Sequence, residues 1–155
     1  MNEASENKDR GVPRVGMGVL VTRNGKLLLG RRLGSHGAET FAAPGGHIEF
    51  GETFEQAARR EVREETGLEI ANLKLLCVGN YIFSVNDGER HYIDVDLVCD
   101  APEGDPVLME PDKCAGWDWY DPHDLPSPLF IVTRRMIESW LTGVLVFDPA
   151  SIERQ

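Results

Sequence analysis

The chain has 155 residues, 41% of them hydrophobic, enough for one well-buried core and too few to suggest a second domain. Its 16 basic residues against 26 acidic ones leave a formal charge of −10, which argues against duplex DNA, other polyanions and anionic membranes as partners. A small nucleotide stays compatible, because a bound divalent cation reverses the local sign of the field. Residues 1–11, MNEASENKDRG, are polar and read as a disordered tail, with no apolar run for a signal peptide or membrane anchor. Residues 12–22 read as a strand, and Arg23-Asn24-Gly25-Lys26 supplies an Asn-Gly hairpin turn into a second strand at 27–32. A loop at 33–40 leads to a short strand at 41–43, and Pro44-Gly45-Gly46 gives a backbone able to turn sharply and approach a ligand. A helix is predicted over 53–66, started by Thr53 or Glu52 and ended by a left-handed cap at Gly67. Strands at 73–84 and 90–99 flank Val85-Asn86-Asp87-Gly88-Glu89, a second hairpin. Residues 101–112, rich in proline and acids, read as a loop ahead of a strand at 116–120. A last helix is predicted over 128–142, where Phe130, Thr133, Ile137, Trp140 and Leu141 form a face that packs on the sheet. Strands with helices on both sides predict an α/β fold, an α/β/α sandwich, in one domain over 12–145 followed by a tail at 146–155. Cys77, Cys99 and Cys114 show neither metal-ligand spacing nor an even-numbered framework, so free thiols in a reducing compartment, the cytoplasm, are expected.

The chemistry concentrates on the helix at 53–66. Glu61, Glu64 and Glu65 stand at i, i+3 and i+4, so they project from one side of the helix, where their repulsion costs stability unless a cation lies among them. At about 100° per residue, Phe54, Ala57, Ala58 and Val62 form one side, and Glu55, Gln56, Arg59 and Arg63 the opposite, solvated one. The three acids fall on or beside the apolar stripe rather than on the solvated face. Inward-facing carboxylates need partners, and Mg²⁺ or Mn²⁺ favours oxygen ligands of this kind. An internal ion-pair network is the competing explanation of the same pattern.

The spacing then becomes specific. Gly46, Glu52, Arg60-Glu61-Val62, Glu64-Glu65 and Gly67-Leu68 fill the nine fixed positions of the Nudix box over 23 residues, with no departure. The chain resembles the Nudix hydrolase family, and LLLGRRLGSHGAETFAAPGGHIEFGE and MEPDKCAGWDWYDPHDLPSPLF are similar to its branch of MutT-type nucleoside triphosphate pyrophosphatases. The likeness covers about residues 12–140. It implies the Nudix fold with a central mixed β-sheet, and Mg²⁺-dependent hydrolysis of a diphosphate bond in a nucleoside triphosphate to the monophosphate and pyrophosphate, with Mn²⁺ as a possible substitute. Oxidised or modified deoxynucleotides fit that branch. By the same resemblance the Gly45 carbonyl is a metal ligand beside Glu61, Glu64 and Glu65, and Glu110 is a further ligand or base. Arg60, paired with Glu52, braces the loop against the helix. Glu61 and Glu110 are both candidates for the base.

Substrate identity is less legible. Strand alternation lets only one of Arg31 and Arg32 point inward, and Arg32 matches a position common in the branch. His47 follows the glycine pair, where similar enzymes touch the nucleotide, and Phe130 aligns with an aromatic of their nucleotide pockets. Phe41, Trp117 and Trp119 are other aromatics able to stack on a base, read first as core. ADP-ribose or another nucleoside diphosphate derivative is the rival substrate, although a proline that often marks ADP-ribose members is absent between Pro44 and Pro102. A non-catalytic nucleotide-sensing module is the second alternative, weakened by a complete box. RNA decapping lacks a basic stripe to track the polymer. A homodimer is expected of several relatives, with no surface nominated.

Overall fold

The computed structural model describes residues 11–34, 37–85 and 88–148. The expected tail at 1–11 lies almost wholly outside them, as do the tip of the second hairpin and the last seven residues. Among the described residues ten elements follow one another: β1 (Arg14–Arg23), β2 (Lys26–Arg32), β3 (Phe41–Ala42), β4 (Gly45–His47), α1 (Phe54–Thr66), β5 (Lys74–Val85), β6 (Gly88–Asp100), β7 (Cys114–Tyr120), α2 (Ile131–Thr142) and β8 (Val146–Phe147). The strands form one sheet in the order β3-β2-β1-β6-β5-β8, with β4 paired to β1 and β7 to β2. It is a mixed sheet: β1 runs parallel to β6 and β5 parallel to β8, while the other pairs are antiparallel.

Each face of the sheet carries one helix and its own apolar cluster. On one face Ala57, Ala58 and Val62 of α1 pack with Met17, Val19, Val21, Leu28 and Val95. On the other, Ile131, Val132, Met136 and Ile137 of α2 pack with Leu20, Leu27, Tyr81 and Phe83. Burial on both faces explains why β1 and β2 read as near-continuous apolar runs rather than alternating ones. The arrangement is the α/β/α sandwich expected from the sequence.

Most local signals hold. Asn24 and Gly25 adopt φ of 51° and 76°, the pair of positive values that an Asn-Gly hairpin turn requires. Thr53 caps α1 through a reciprocal capping box with Gln56, and Gly67 closes it in the left-handed conformation. Four differences stand out. The Gly45–His47 segment, read as a turn, is a short strand hydrogen-bonded beside β1. The last helix starts at Ile131 rather than 128, because the extended chain before it bonds to Phe41: Pro128 O accepts from Phe41 N–H and Phe130 N–H donates to Phe41 O. Val146–Phe147, assigned to the tail, adds an edge strand to β5. Leu141 is half exposed, so the α2 face is narrower than predicted.

The β1–β2 ladder holds near the hairpin, at Thr22↔Leu27 and Arg23↔Lys26. Farther along, β4 takes the place beside β1, while β2 pairs with β3 and β7. The sheet therefore splits, and the glycine segment enters the split.

Candidate active site

The split opens into a cleft of about 650 Å³, lined by Gly45, Gly46, Glu65 and Glu110 and also by Phe83, Asp94, Phe130 and Met136. Glu65 faces it from α1 and accepts from Gly45 N–H at 2.9 Å. Its backbone carbonyl accepts from Trp117 Nε1 at 3.0 Å, which ties α1 to β7. Burial, reinforced by the charges of Glu61 and Glu110 and opposed by the Gly45 N–H, pushes the Glu65 carboxyl up to about 8. Burial likewise raises Glu61, against the pull of Arg60, with Glu64 and Glu110 adding to the rise. Glu61 thus feels the charges of Glu64 and Glu110, and Glu65 those of Glu61 and Glu110, beside the cleft mouth.

Arg60 organises that mouth. Its Nε and Nη2 donate to the two Glu52 oxygens at 2.8 Å each, Nη2 also donates to the His47 carbonyl at 2.9 Å, and Nη1 donates to Glu61 Oε1 at 2.8 Å. Such a planar fork meets several acceptors at once, which an ammonium does not. Hydrogen bonding to Glu52, then to Glu61, holds Arg60 well above the ordinary guanidinium range, and the same bond keeps Glu52 below the usual carboxylate range. The Glu52–Arg60 brace expected from the resemblance is therefore present.

Glu110 reaches the mouth because its loop is pinned to the end of α1. Val107 N–H donates to Thr66 O at 2.8 Å, and Val107 and Met109 pack over Gly67. Glu110 itself pairs with Lys113 at 3.2 Å. Glu64 departs from expectation: its side chain is 52% exposed, with Arg60 3.4 Å away. On the helical projection it lies about 160° from Val62, at the edge of the stripe, whereas Glu61 and Glu65 lie nearer its middle. Phe54, placed on the stripe by the same projection, is exposed at the first turn.

Among the described residues no three His, Cys, Asp or Glu side chains converge as a finished ion cage. Glu61 is drawn to Arg60 and Glu65 to the Gly45 amide instead. The donor set still fits a hard divalent cation: the charge of Glu110 raises the proton affinity of Glu61 and Glu65, that of Glu61 raises Glu65 further, and a cation among them relieves that repulsion.

Of the substrate candidates, Arg32 turns inward and Arg31 outward, the latter paired with Glu39 at 2.7 Å. The Arg32 guanidinium lies 4.4 Å from the Phe130 ring centroid and senses the charge of Glu65, so it joins the aromatic and acidic parts of the cleft. His47 stacks on Tyr92 with ring centroids 5.5 Å apart; burial against that ring, then the charge of Arg14, holds its imidazole below the ordinary range. Phe130 stacks on Phe83. Trp117 and Trp119 pack against the α1-side core, and Phe41 sits edge-on to Tyr120.

Two acids of β6 were missed. Asp94 is 8% exposed and lines the cleft, and Asp96 is fully buried behind it, accepting from Gly18 N–H at 2.8 Å. Burial raises both carboxyls, and the charge of Asp94 raises Asp96 further. The available signal was Ile93-Asp94-Val95-Asp96 inside a strand destined for the middle of a sheet covered on both faces.

Fold and site together define an α/β/α sandwich whose reactive groups are carboxylates gathered at a glycine segment and one helix. The chain belongs to the Nudix family: the NUDIX domain matches residues 12–140. It is 34% identical over 118 residues to an ADP-ribose pyrophosphatase of Methanocaldococcus jannaschii, covering 76% of this chain and 68% of the relative. It is 38% identical over 109 residues to the oxidized purine nucleoside triphosphate hydrolase of Danio rerio, covering 70% and 66%. Among solved structures, a MutT NUDIX hydrolase from Burkholderia pseudomallei superposes with a TM-score of 0.77 at 34% identity, over 83% of this chain and 98% of that one. The chain spans about two thirds of the length of the first two relatives and about half that of the NudC proteins, named NAD-capped RNA hydrolases, that it also matches. Nudix hydrolases act on phosphoric anhydrides and generally need divalent cations such as Mg²⁺.

Proposed function

We propose that this chain hydrolyses a diphosphate bond in a nucleoside triphosphate, oxidised or modified deoxynucleotides included, releasing the monophosphate and pyrophosphate. The observation that carries this reading is one cleft lined both by acids, Glu65 and Glu110, and by the rings of Phe83, Tyr92 and Phe130, a lining suited to a phosphate chain bearing a base. The likeness to the Danio rerio relative supports it. Glu61, Glu65, Glu110 and the Gly45 carbonyl, with Glu64 at the rim, are the groups that hold Mg²⁺, or Mn²⁺ in its place. When bound, the ion neutralises phosphate charge and lowers the pKa of a water. Arg60 fixes one oxygen of Glu61, Oε1, and the carboxylate takes up the proton of the attacking water through the other, Oε2. Glu52 keeps Arg60 in place. Arg32 offers its guanidinium to phosphate oxygens, while Phe130 and His47 bound the nucleoside. The formal charge of −10 argues against a polyanionic partner and agrees with a small-molecule substrate.

The second reading, ADP-ribose hydrolysis, is favoured by the Methanocaldococcus jannaschii relative. The test is product release with Mg²⁺ across canonical, methylated and oxidised dNTPs and NTPs, ADP-ribose, dinucleoside polyphosphates and NAD-capped RNA. Pyrophosphate and monophosphate from a triphosphate, at the highest kcat/KM of the panel, is the expected result. A clear preference for ADP-ribose installs the second reading, and no turnover of any member removes both.

A further inference from the structure

We propose that Asp94 is a specificity-determining residue: its carboxyl, at the floor of the chamber walled by Phe83, Tyr92, Phe130 and Met136, reads the heterocyclic base of the nucleotide through paired hydrogen bonds. This rests on the nucleotide-hydrolase reading above.

The position begins with strand register. Asp94 pairs with Gly16 in the parallel β1–β6 ladder, on the face that carries α2. A Cβ at Gly16 would overlap Asp94 Oδ1 and stand 3.3 Å from its Cγ, so the carboxyl lies directly over the bare glycine backbone. A side chain at position 16 would occupy that floor. The two acids of β6 are then treated unequally. Asp96 accepts from the Gly18 amide at 2.8 Å and from the Cys77 thiol at 3.7 Å, deeper in the core. Asp94, although more than nine-tenths buried, has no hydrogen-bond partner among the described residues and borders the cleft.

A buried carboxyl without a partner is costly, and apolar or hydroxyl side chains would fill the same floor at lower cost. A ligand group that meets it explains its presence. Two carboxyls at alternate positions of one strand, one fully buried and the other nearly so at the edge of the cleft, do not ionise together cheaply, so the pair retains a proton. With that proton on Asp94, whose partner Asp96 already accepts from the Gly18 amide, the carboxyl offers one donor and one acceptor in a plane. That matches the edge of a base carrying an N–H beside a ring nitrogen or carbonyl oxygen. The surrounding rings favour a flat heterocycle over a sugar, since aromatic faces stack on a base and have no such contact with a sugar.

The test compares the full chain with Asp94→Leu, Asp94→Ala and Asp94→Asn, in Mg²⁺, on the preferred nucleoside triphosphate and on ribose 5-triphosphate, which has no base. The Leu and Ala variants are expected to lose roughly 10–100-fold in kcat/KM on the nucleotide, mainly through KM, and little on ribose 5-triphosphate. Asn, which keeps a donor and an acceptor, stays within a few-fold. Equal kcat/KM of the unmodified chain on the two substrates overturns the inference without any variant having to fold. So does an unchanged ratio in folded Leu or Ala variants. Those outcomes leave triphosphate hydrolysis standing; absence of triphosphate hydrolysis in the unmodified chain takes both readings down.

Discussion

Replacing Gly46 with alanine adds one methyl group at the point where β4 faces α1. A Cβ built there lies 2.5 Å from Glu61 Oε2 and closer still to Cδ and Oε1, whereas ordinary contact begins at 3.4 Å. The carboxyl must retreat by about 1 Å. It is the free end of a flexible side chain, and Gly46 is not among the positive-φ glycines, so the fold absorbs the change at a cost of about 1 kcal/mol or less. Catalysis does not absorb it. Displacing Glu61 disrupts its 2.8 Å bond from Arg60 and its position beside Gly46, and a 1 Å misplacement of a reacting group costs on the order of 10²-fold. Gly45→Ala is the control of opposite character. Its Cβ would overlap the Met17 carbonyl oxygen and approach Gly18 Cα at 2.9 Å, backbone atoms that cannot swing away. Thermal melts and steady-state kinetics on both variants separate the cases: Gly46→Ala keeps a near-normal melting temperature with a roughly 100-fold lower kcat, and Gly45→Ala melts early. A Gly46→Ala enzyme within 3-fold of the parent rate, or one as unstable as Gly45→Ala, would refute the assignment of Glu61.

Glu61→Gln and Glu65→Gln are each expected to lower kcat by about 10²–10⁴-fold with circular dichroism unchanged; near-normal turnover in either removes it from the machinery. Arg60→Lys keeps a charge but not the fork that meets Glu52, His47 O and Glu61, so kcat should fall roughly 10–100-fold and fail to recover at higher Mg²⁺. Chelation with EDTA should abolish turnover, and Mg²⁺ or Mn²⁺ should restore it; full activity in EDTA would exclude a cation role. For pH, the folded chain holds the Asp94 proton up to about 7, while an unfolded chain releases it near 3.8. Between those values the native state binds more protons than the unfolded one, so this group's contribution to stability is greatest below about pH 4 and falls away as pH rises to about 7. Urea midpoints of Asp94→Asn should therefore decline less over that window than those of the parent, and parallel profiles would contradict the raised carboxyl.

How much of this was legible in the sequence depends on whether the signal is local. The box helix was readable to within a residue, because its Thr53 cap, its apolar stripe and its Gly67 terminator lie in one stretch of chain. Glu61 and Glu65 were readable as inward-facing for the same reason. Glu64 was not separated from them, since a projection assigns angles without knowing how wide the covering surface is; the helix meets the sheet over Ala57, Ala58 and Val62, and Glu64 lies beyond that contact. The strand at Gly45–His47 escaped because its pairing with Gly16–Gly18 is a long-range event, and glycines carry little strand propensity of their own.

Asp94 and Asp96 show the same limit where it bears most on function. Ile93-Asp94-Val95-Asp96 alternates apolar with acidic, the pattern of a strand with one wet face, and read alone it would put both acids in solvent. The topology removes that face. β6 lies between β1 and β5, α1 covers the side of Val95, and α2 covers the side of the acids. A polar residue is then buried by its neighbours in the sheet rather than by its own segment, and alternation becomes a sign of a polar group held inside. Of the two, the deeper acid is anchored to the Gly18 amide, while the shallower one is left at the cleft with its acceptors unspent. The box fixes the chemistry through residues close together in sequence, whereas the chamber that distinguishes substrates is assembled from β1, β5, β6 and α2. Position 94 lies outside the box, so base selection by Asp94, as proposed, is independent of the residues that the box fixes.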